Sequence, residues 1–347
     1  MFELGDLRIP VVQAPMAGGP STPSLVTAVG EAGGLGFLAA GYRTAEALAE
    51  QIEGVRAATT APFGVNVFVP QPRPDASVVA AYRHELAAEA ERYGVALPEP
   101  DPADDDHWDS KIRMLVERPV PVVSFTFGVP SPDVVGELRR AGTYLLATVT
   151  SQAEARLAAA AGVDGLCVQG PEAGAHRGTF DVAAEPGKTP LGALLAEISH
   201  VTDLPLIGAG GLATGSSIAA ALRAGARAVQ VGTAYLRTPE SGANLAYKAA
   251  LADPRFGPAI ITRAFSGRPA RGLRNRFTDA HHATAPAAYP LVNQLTQPLR
   301  AAAAARGDAD GLSLWAGSGY RQATVEPAGQ VTVRLWETAR AELAGRP

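Results

Sequence analysis

Gln169, Glu172, His176 and Arg177 stand among Gly170, Pro171, Gly174 and Gly178 in the stretch DGLCVQGPEAGAHRGTF, residues 164–180. Gly165–Val168 is an apolar run of the length of one buried strand, and the glycines and proline after it admit no regular element. A strand end holds polar side chains in fixed positions, and glycine lets the backbone approach a ligand closely. Of the six histidines, His176 alone lies in a glycine-rich loop after a predicted strand. An imidazole titrates near neutrality and can remove a weakly acidic C–H proton from a bound substrate. The stretch reads as a catalytic loop with His176 as its base.

A second constellation points to phosphate. Gly208-Ala-Gly210-Gly211 follows a predicted strand and leads into a helix, and Gln230-Val231-Gly232-Thr233 closes the next strand. Backbone N–H groups, a helix N-terminus and the Thr233 hydroxyl are thereby offered to one dianion. GAGGLATG does not match the GxGxxG dinucleotide fingerprint, and no acid follows a second strand at the expected distance. Other polar features read as structural. The acid run Asp101, Asp104, Asp105 and Asp106 is broken by prolines and matches no calcium loop, so it is expected to be a solvated loop. His281 and His282 are adjacent, lack a third ligand and are expected on the surface, so no metal site is predicted. Cys167, the single cysteine, reads as a small hydrophobe within a strand.

The elements that position these loops alternate strand, loop and helix. Strands are expected at Ile9–Ala14, Leu35–Ala39, Phe63–Val67, Val120–Phe125, Tyr144–Thr148, Gly165–Val168, Pro205–Ile207 and Ala228–Val231, most of them followed by a helix such as Ser24–Ala32 or Thr44–Ala58. Eight such units in about 250 residues are the count of a (β/α)8 barrel, with an open doubly wound sheet as the alternative because strand order is not readable from sequence. In such a barrel the reacting groups come from the carboxyl ends of the strands. Residues 1–257 are assigned to the barrel, with an excursion at 70–119 that carries one helix, Ala76–Tyr93. Residues 258–347 are assigned to a mainly helical cap. There Ile260–Gly267 is expected as a short strand, Arg268–Arg276 as a basic loop, and Leu291–Ala305 and Val331–Leu343 as helices, the last packing back on the barrel.

The chain has 347 residues, 47% hydrophobic and 18% charged, with a formal net charge of −4. That supports a large core and gives no electrostatic footprint for nucleic acid or anionic membrane. The first residues lack the basic-then-apolar order of a signal peptide, and no apolar run reaches about 18 residues. A cytoplasmic protein is expected, with a homodimer left open.

APMAGG near the start, CVQGPEAGAHRGTF in the middle, and GAGGLATG followed by AVQVGTAYLRTPESG resemble the nitronate monooxygenase family, once called 2-nitropropane dioxygenases, over residues 9–320. The resemblance implies an FMN-dependent barrel that oxidises alkyl nitronates with O2 to a carbonyl compound and nitrite, with neutral nitroalkanes as a further substrate class left open. It implies that Ala14, Pro15, Met16 and Ala17 lie by their backbone against the isoalloxazine and that Asn66 hydrogen-bonds the ring. Gln169 and Gly174 would contact the flavin or its ribityl chain, and Gly210, Gly211, Gln230, Val231, Gly232 and Thr233 would hold its phosphate. His176 would be the base, Arg177 a holder of the loop, and Tyr320 a residue of the substrate pocket. Ala175 stands where the family usually has a second glycine; if that position needs positive φ, alanine costs about 1 kcal/mol. Two other readings are an NAD(P)H-dependent flavin enoyl-thioester reductase, which shares the glycine–histidine loop, and a non-catalytic flavin-binding protein.

Overall fold

The computed structural model describes residues 2–72 and 74–345. Met1, Arg73, Arg346 and Pro347, which include the outer limits of the two sequence-defined regions, lie outside the described residues.

Short apolar runs stopped by glycine, proline or a capping hydroxyl make the barrel. Its strands are β1 (Val11–Gln13), β2 (Gly36–Ala39), β3 (Phe63–Phe68), β4 (Val122–Thr126), β5 (Tyr144–Val149) and β6 (Gly165–Gln169). A two-residue β7 (Ala175–His176) lies outside it, and β8 (Leu206–Ala209) and β9 (Ala228–Val231) complete the set. The eight barrel strands are parallel, in the order β1-β9-β8-β6-β5-β4-β3-β2. The Val12–Leu35 bridge closes the ring, with Gln13 N–H donating to Leu35 O at 2.8 Å and Leu35 N–H to Val11 O at 3.1 Å. Gln13 reinforces the seam from inside: its buried Oε1 accepts from Phe37 N–H at 3.0 Å. The sheet is therefore a (β/α)8 barrel.

The intervening helices begin where a hydroxyl can take an unpaired N–H. Thr22 accepts from Leu25 N–H at 3.1 Å to start Pro23–Ala32, and Thr44 accepts from Ala47 N–H at 3.2 Å to start Ala45–Ala58. Leu25, Val29, Leu48, Ile52 and Val55, spaced three or four apart, are buried in the main core against strand residues such as Val65 and Val123. The last helix, Ala328–Ala344, buries Val331 and Leu335 in this same core and lies against the helices Pro23–Ala32 and Gly215–Arg223.

The excursion differs from the sequence reading. Ala76–Tyr93 is a 3-10 turn, Ala76–Val79, followed by two short helices, Ala80–Glu85 and Ala87–Tyr93, that meet at Leu86. Tyr82, Leu86 and Tyr93 join a second core with Phe265, Phe277, Leu295 and Leu299. A further helix, Trp108–Glu117, went unread; it puts Ile112 and Leu115 into the main core and supplies the crossover from β3 to β4. Asp106 is not a solvated acid: it pairs with the buried Lys111 at 2.8 Å and accepts from Tyr42 N–H at 2.8 Å.

Beyond the barrel, β10 is Ala259–Thr262, shorter than expected, and the basic stretch taken for a loop contains β11, Ala270–Leu273. β11 pairs with β10 on one side and with β7 on the other. His281 also departs from expectation. It is buried against Tyr82 and Phe277, with Nε2 3.7 Å from Glu89. An isolated pair of histidines carries no sign in sequence of which one faces inward.

Candidate active site

The strand ends open into one cavity of about 630 Å³, within the range of small-molecule sites. Ala14, Pro15, Met16 and Ala17 after β1, and Asn66 within β3, line it. Gln169, Gly174 and His176 enter from β6 and its loop, Gly210 and Gly211 from the turn after β8, and Gln230, Val231, Gly232 and Thr233 from β9 and its end. The base and every flavin-contacting residue named from sequence are thus brought to one cavity; Arg177 does not line it, and neither does Tyr320. Its hydroxyl is directed at Gly257, and its ring packs in the second core under Arg321. Trp315, Gly317 and Gly319 of the same segment line the cavity instead.

His176 is held by pairing in two directions. Its backbone opposes Ala270 in the β7–β11 ladder, and its carbonyl accepts from Gln169 Nε2 at 3.0 Å. Gln169 Oε1 in turn accepts from Gly178 N–H at 2.8 Å, so this side chain clamps both ends of the loop. Arg177 is buried and donates to the carbonyls of Gly170 and Gln169, the latter at 3.1 Å, which makes it a loop holder in fact. Ala175 has φ 62, the left-handed conformation in which a Cβ is strained. Gly174 is needed for another reason: a Cβ there would lie 2.5 Å from Gly317 N.

The imidazole sits among Phe127, Tyr289 and Trp315, with ring centroids 5.8, 5.8 and 5.7 Å away. Its Nε2 is 2.8 Å from Ser266 Oγ. Burial, with the Arg268 and Arg300 guanidiniums adding repulsion, pushes its pKa down to about 3. Arg268 lies behind it, fully buried, 4.0 Å over the Phe127 ring, and donates to Thr179 O at 2.6 Å and Gln71 Oε1 at 2.8 Å. Cys167 is no second nucleophile, since burial pushes its thiol up to about 12.

Asn66 Nδ2 donates to Ser124 O at 3.1 Å and to the hydroxyls of Ser124 and Thr126, each at 2.9 Å. The carbonyl partner identifies the nitrogen, so Asn66 presents only its oxygen to a ligand. At the glycine turns, Gly210 and Gly211 have φ 118 and 69. Among the described residues no partner takes the N–H groups of Gly211, Leu212, Thr233 or Ala234. Thr233 Oγ1 accepts from Gly317 N–H at 3.0 Å and ties the cap to this corner. The helix that follows does not supply the donors expected of it: Gly215, Ser216 and Ser217 do not line the cavity, and Ser217 N–H is bonded to Thr214 Oγ1 at 3.2 Å in a capping box. The donors converge from loops rather than a helix end, an arrangement that fits a phosphate.

Sequence reasoning missed Ser266, Arg268, Tyr289 and Arg300. Arg300 left a trace, since Asn293, Gln297 and Arg300 recur at helical spacing on the helix Leu291–Ala305. The other three lie in segments with no periodic signal. Among the described residues no group of three or more His, Cys, Asp or Glu is placed to hold a metal, and no helix is long and apolar enough to cross a membrane.

A parallel barrel with a cavity at the carboxyl ends of its strands has the site architecture of a (β/α)8-barrel enzyme, and comparison with known proteins supplies the family. The nitronate monooxygenase family model matches residues 4–337, and the chain belongs to the nitronate monooxygenase family. It is similar to a probable nitronate monooxygenase of Staphylococcus aureus strain Newman, 36% identical and covering 95% of this chain and 94% of that one. A nitronate monooxygenase of Paraburkholderia phytofirmans is 38% identical, covering 94% and 91%. Among solved structures, a nitroalkane oxidase from Streptomyces ansochromogenes superposes with a TM-score of 0.93 at 50% identity, over 98% of both chains. FabK from Thermotoga maritima is more distant, with a TM-score of 0.76 at 27% identity over 98% and 96%.

Proposed function

We propose that the protein is an FMN-dependent enzyme that oxidises alkyl nitronates, and neutral nitroalkanes after their deprotonation, with O2 to a carbonyl compound and nitrite. The observation that carries this reading is the convergence of the His176 loop and the unspent donors after β8 and β9 on one cavity. Gly210, Gly211 and the run Gln230–Thr233 would hold the phosphate. The backbone of Ala14–Ala17 and the oxygen of Asn66 would meet the ring, and Gly174 would allow close approach beside it. Gln169 acts through the loop it clamps. FMN, when bound, supplies the electron transfer from substrate and onward to O2.

The remaining work falls to this chain's side chains. Ser266 Oγ lies 3.3 Å from Arg268 O, and a hydroxyl donating there can accept from His176 Nε2–H. That tautomer leaves a lone pair on Nδ1, which takes the α-carbon proton of a neutral nitroalkane. A nitronate needs no such base and is favoured by the positive potential of the guanidiniums near His176. Phe127, Tyr289 and Trp315 keep water from the reacting centre.

The visible spectrum of the purified protein, then anaerobic addition of ethyl nitronate, tests the proposal. Flavin absorbance that bleaches with nitronate and returns with O2 is expected. A colourless protein that takes up no added FMN, or bleaching by NADPH alone, overturns it.

A further inference from the structure

The cavity's side chains have a one-sided charge. Arg43 and Arg300 line it, and among the described residues no aspartate or glutamate does, although the chain as a whole is net negative. The phosphate corner already has its donors at the turns after β8 and β9, whereas Arg300 comes from the cap helix Leu291–Ala305. Neither Arg43 nor Arg300 has a carboxylate within ion-pair distance among the described residues. Arg43 and Arg300 are half-buried, and a guanidinium partly withdrawn from water without a counter-charge is costly unless something compensates it, as a bound anion does.

The hydrogen bonds of Arg300 show what it has left to give. Nε donates to Thr296 Oγ1 at 3.2 Å, and Nη2 donates to Asn293 O at 3.0 Å and Asn293 Oδ1 at 2.8 Å. These bonds are all to its own helix and fix the plane of the guanidinium. No partner among the described residues takes Nη1. Arg300 lines the same cavity as His176, Tyr42 and Trp315, which places it with the residues of the proposed base rather than at the glycine turns alone. Tyr42 and Tyr289 approach each other there, hydroxyl to hydroxyl, at 3.5 Å.

We propose that Arg300 is a specificity-determining residue that binds the anionic oxygens of the substrate's ionised nitro group through its uncommitted Nη1 and so selects the nitronate over the neutral nitroalkane. This rests on the function proposed above. A planar oxyanion with delocalised charge suits a guanidinium held in a fixed plane. Asn293 and Thr296 are the residues that hold that plane.

The test uses the flavin-loaded enzyme with Arg300→Gln and Arg300→Lys. The KM for ethyl nitronate is expected to rise by about 10- to 100-fold in Arg300→Gln, the worth of a charge-assisted hydrogen bond. The KM for neutral nitroethane is expected to stay within about twofold, and Arg300→Lys to recover part of the loss. Nitrate, a planar oxyanion that cannot react, is expected to inhibit the parent competitively and to lose at least tenfold in affinity in Arg300→Gln. Equal KM rises for both substrates, or unchanged nitrate inhibition, overturn the assignment. Should Arg300→Gln fail to fold, Arg300→Lys alone decides, because unchanged nitronate KM and nitrate inhibition there would refute dependence on the fixed plane. A parent that holds no flavin or ignores nitronate instead refutes the function proposed above, and the two failures are distinguishable.

Discussion

His176 Nε2 lies 2.8 Å from Ser266 Oγ, a bond that joins the loop after β6 to the turn before β11. It fixes the ring plane, and a Ser266 hydroxyl that donates to Arg268 O at 3.3 Å is the acceptor an Nε2–H tautomer requires. Ser266→Ala should retain flavin and reduce kcat on nitroethane about 10-fold, the order of one hydrogen bond. Turnover of ethyl nitronate should change little, because no proton is taken from it. Steady-state kinetics on the two substrates check this, and an equal loss on both would show that Ser266 serves the site in some other way.

The depressed pKa of His176 has a defined sign. Its ordinary value is 6.5 and its folded value about 3, so the unfolded chain binds more protons between the two. Stability from keeping it neutral is complete above 6.5 and drains away as pH falls towards 3. In kinetics the free enzyme already holds neutral His176 above pH 5, so kcat/KM for ethyl nitronate should show no His176 limb between about pH 5 and 8. His176→Ala should keep flavin and lose about 100-fold or more on nitroethane at pH 7. An acidic limb near 6.5 that vanishes in His176→Ala would contradict the neutral ring.

Ala175 adopts φ 62 immediately before the histidine. Ala175→Gly should remove strain of about 1 kcal/mol, offset in part by the greater freedom of glycine in the unfolded chain. A small rise in Tm is expected, with no loss of flavin. A fall in Tm would mean that the alanine methyl makes a packing contribution larger than its strain.

Asp106 and Lys111 form an ion pair at 2.8 Å, with the lysine side chain fully buried. Asp106→Asn leaves that ammonium without its partner and should cost about 3 kcal/mol, the penalty of an uncompensated buried charge. Because Asp106 also receives Tyr42 N–H, at the edge of the cavity, the KM for nitronate should rise together with the loss of stability. Lys111→Met in the Asp106→Asn background should recover most of the stability, measured by thermal or urea unfolding.

The barrel and the residues at its strand ends were legible in sequence because both are local in the chain. A buried parallel strand is a short apolar run, its helix begins at a hydroxyl, and its loop shows as glycine beside polar side chains. Thus Gln169, His176, Gly211 and Thr233 were found from their own neighbourhoods, and Asn66 from the family resemblance. The partners of His176 were not, because pairing is decided by the assembled chain. Ser266 is 90 positions away, and β11 looked like a basic loop because Arg268 and Arg271 mask a strand whose partners, β7 and β10, appear only on folding. Burial settled His281 and Asp106 in the same manner: a histidine or an aspartate reads as solvated until a second segment covers it. Only the tertiary structure brought Arg300 to the same cavity as His176. Charge acts through space, and that distance is set by the cap helix lying over the barrel mouth rather than by any spacing along the chain.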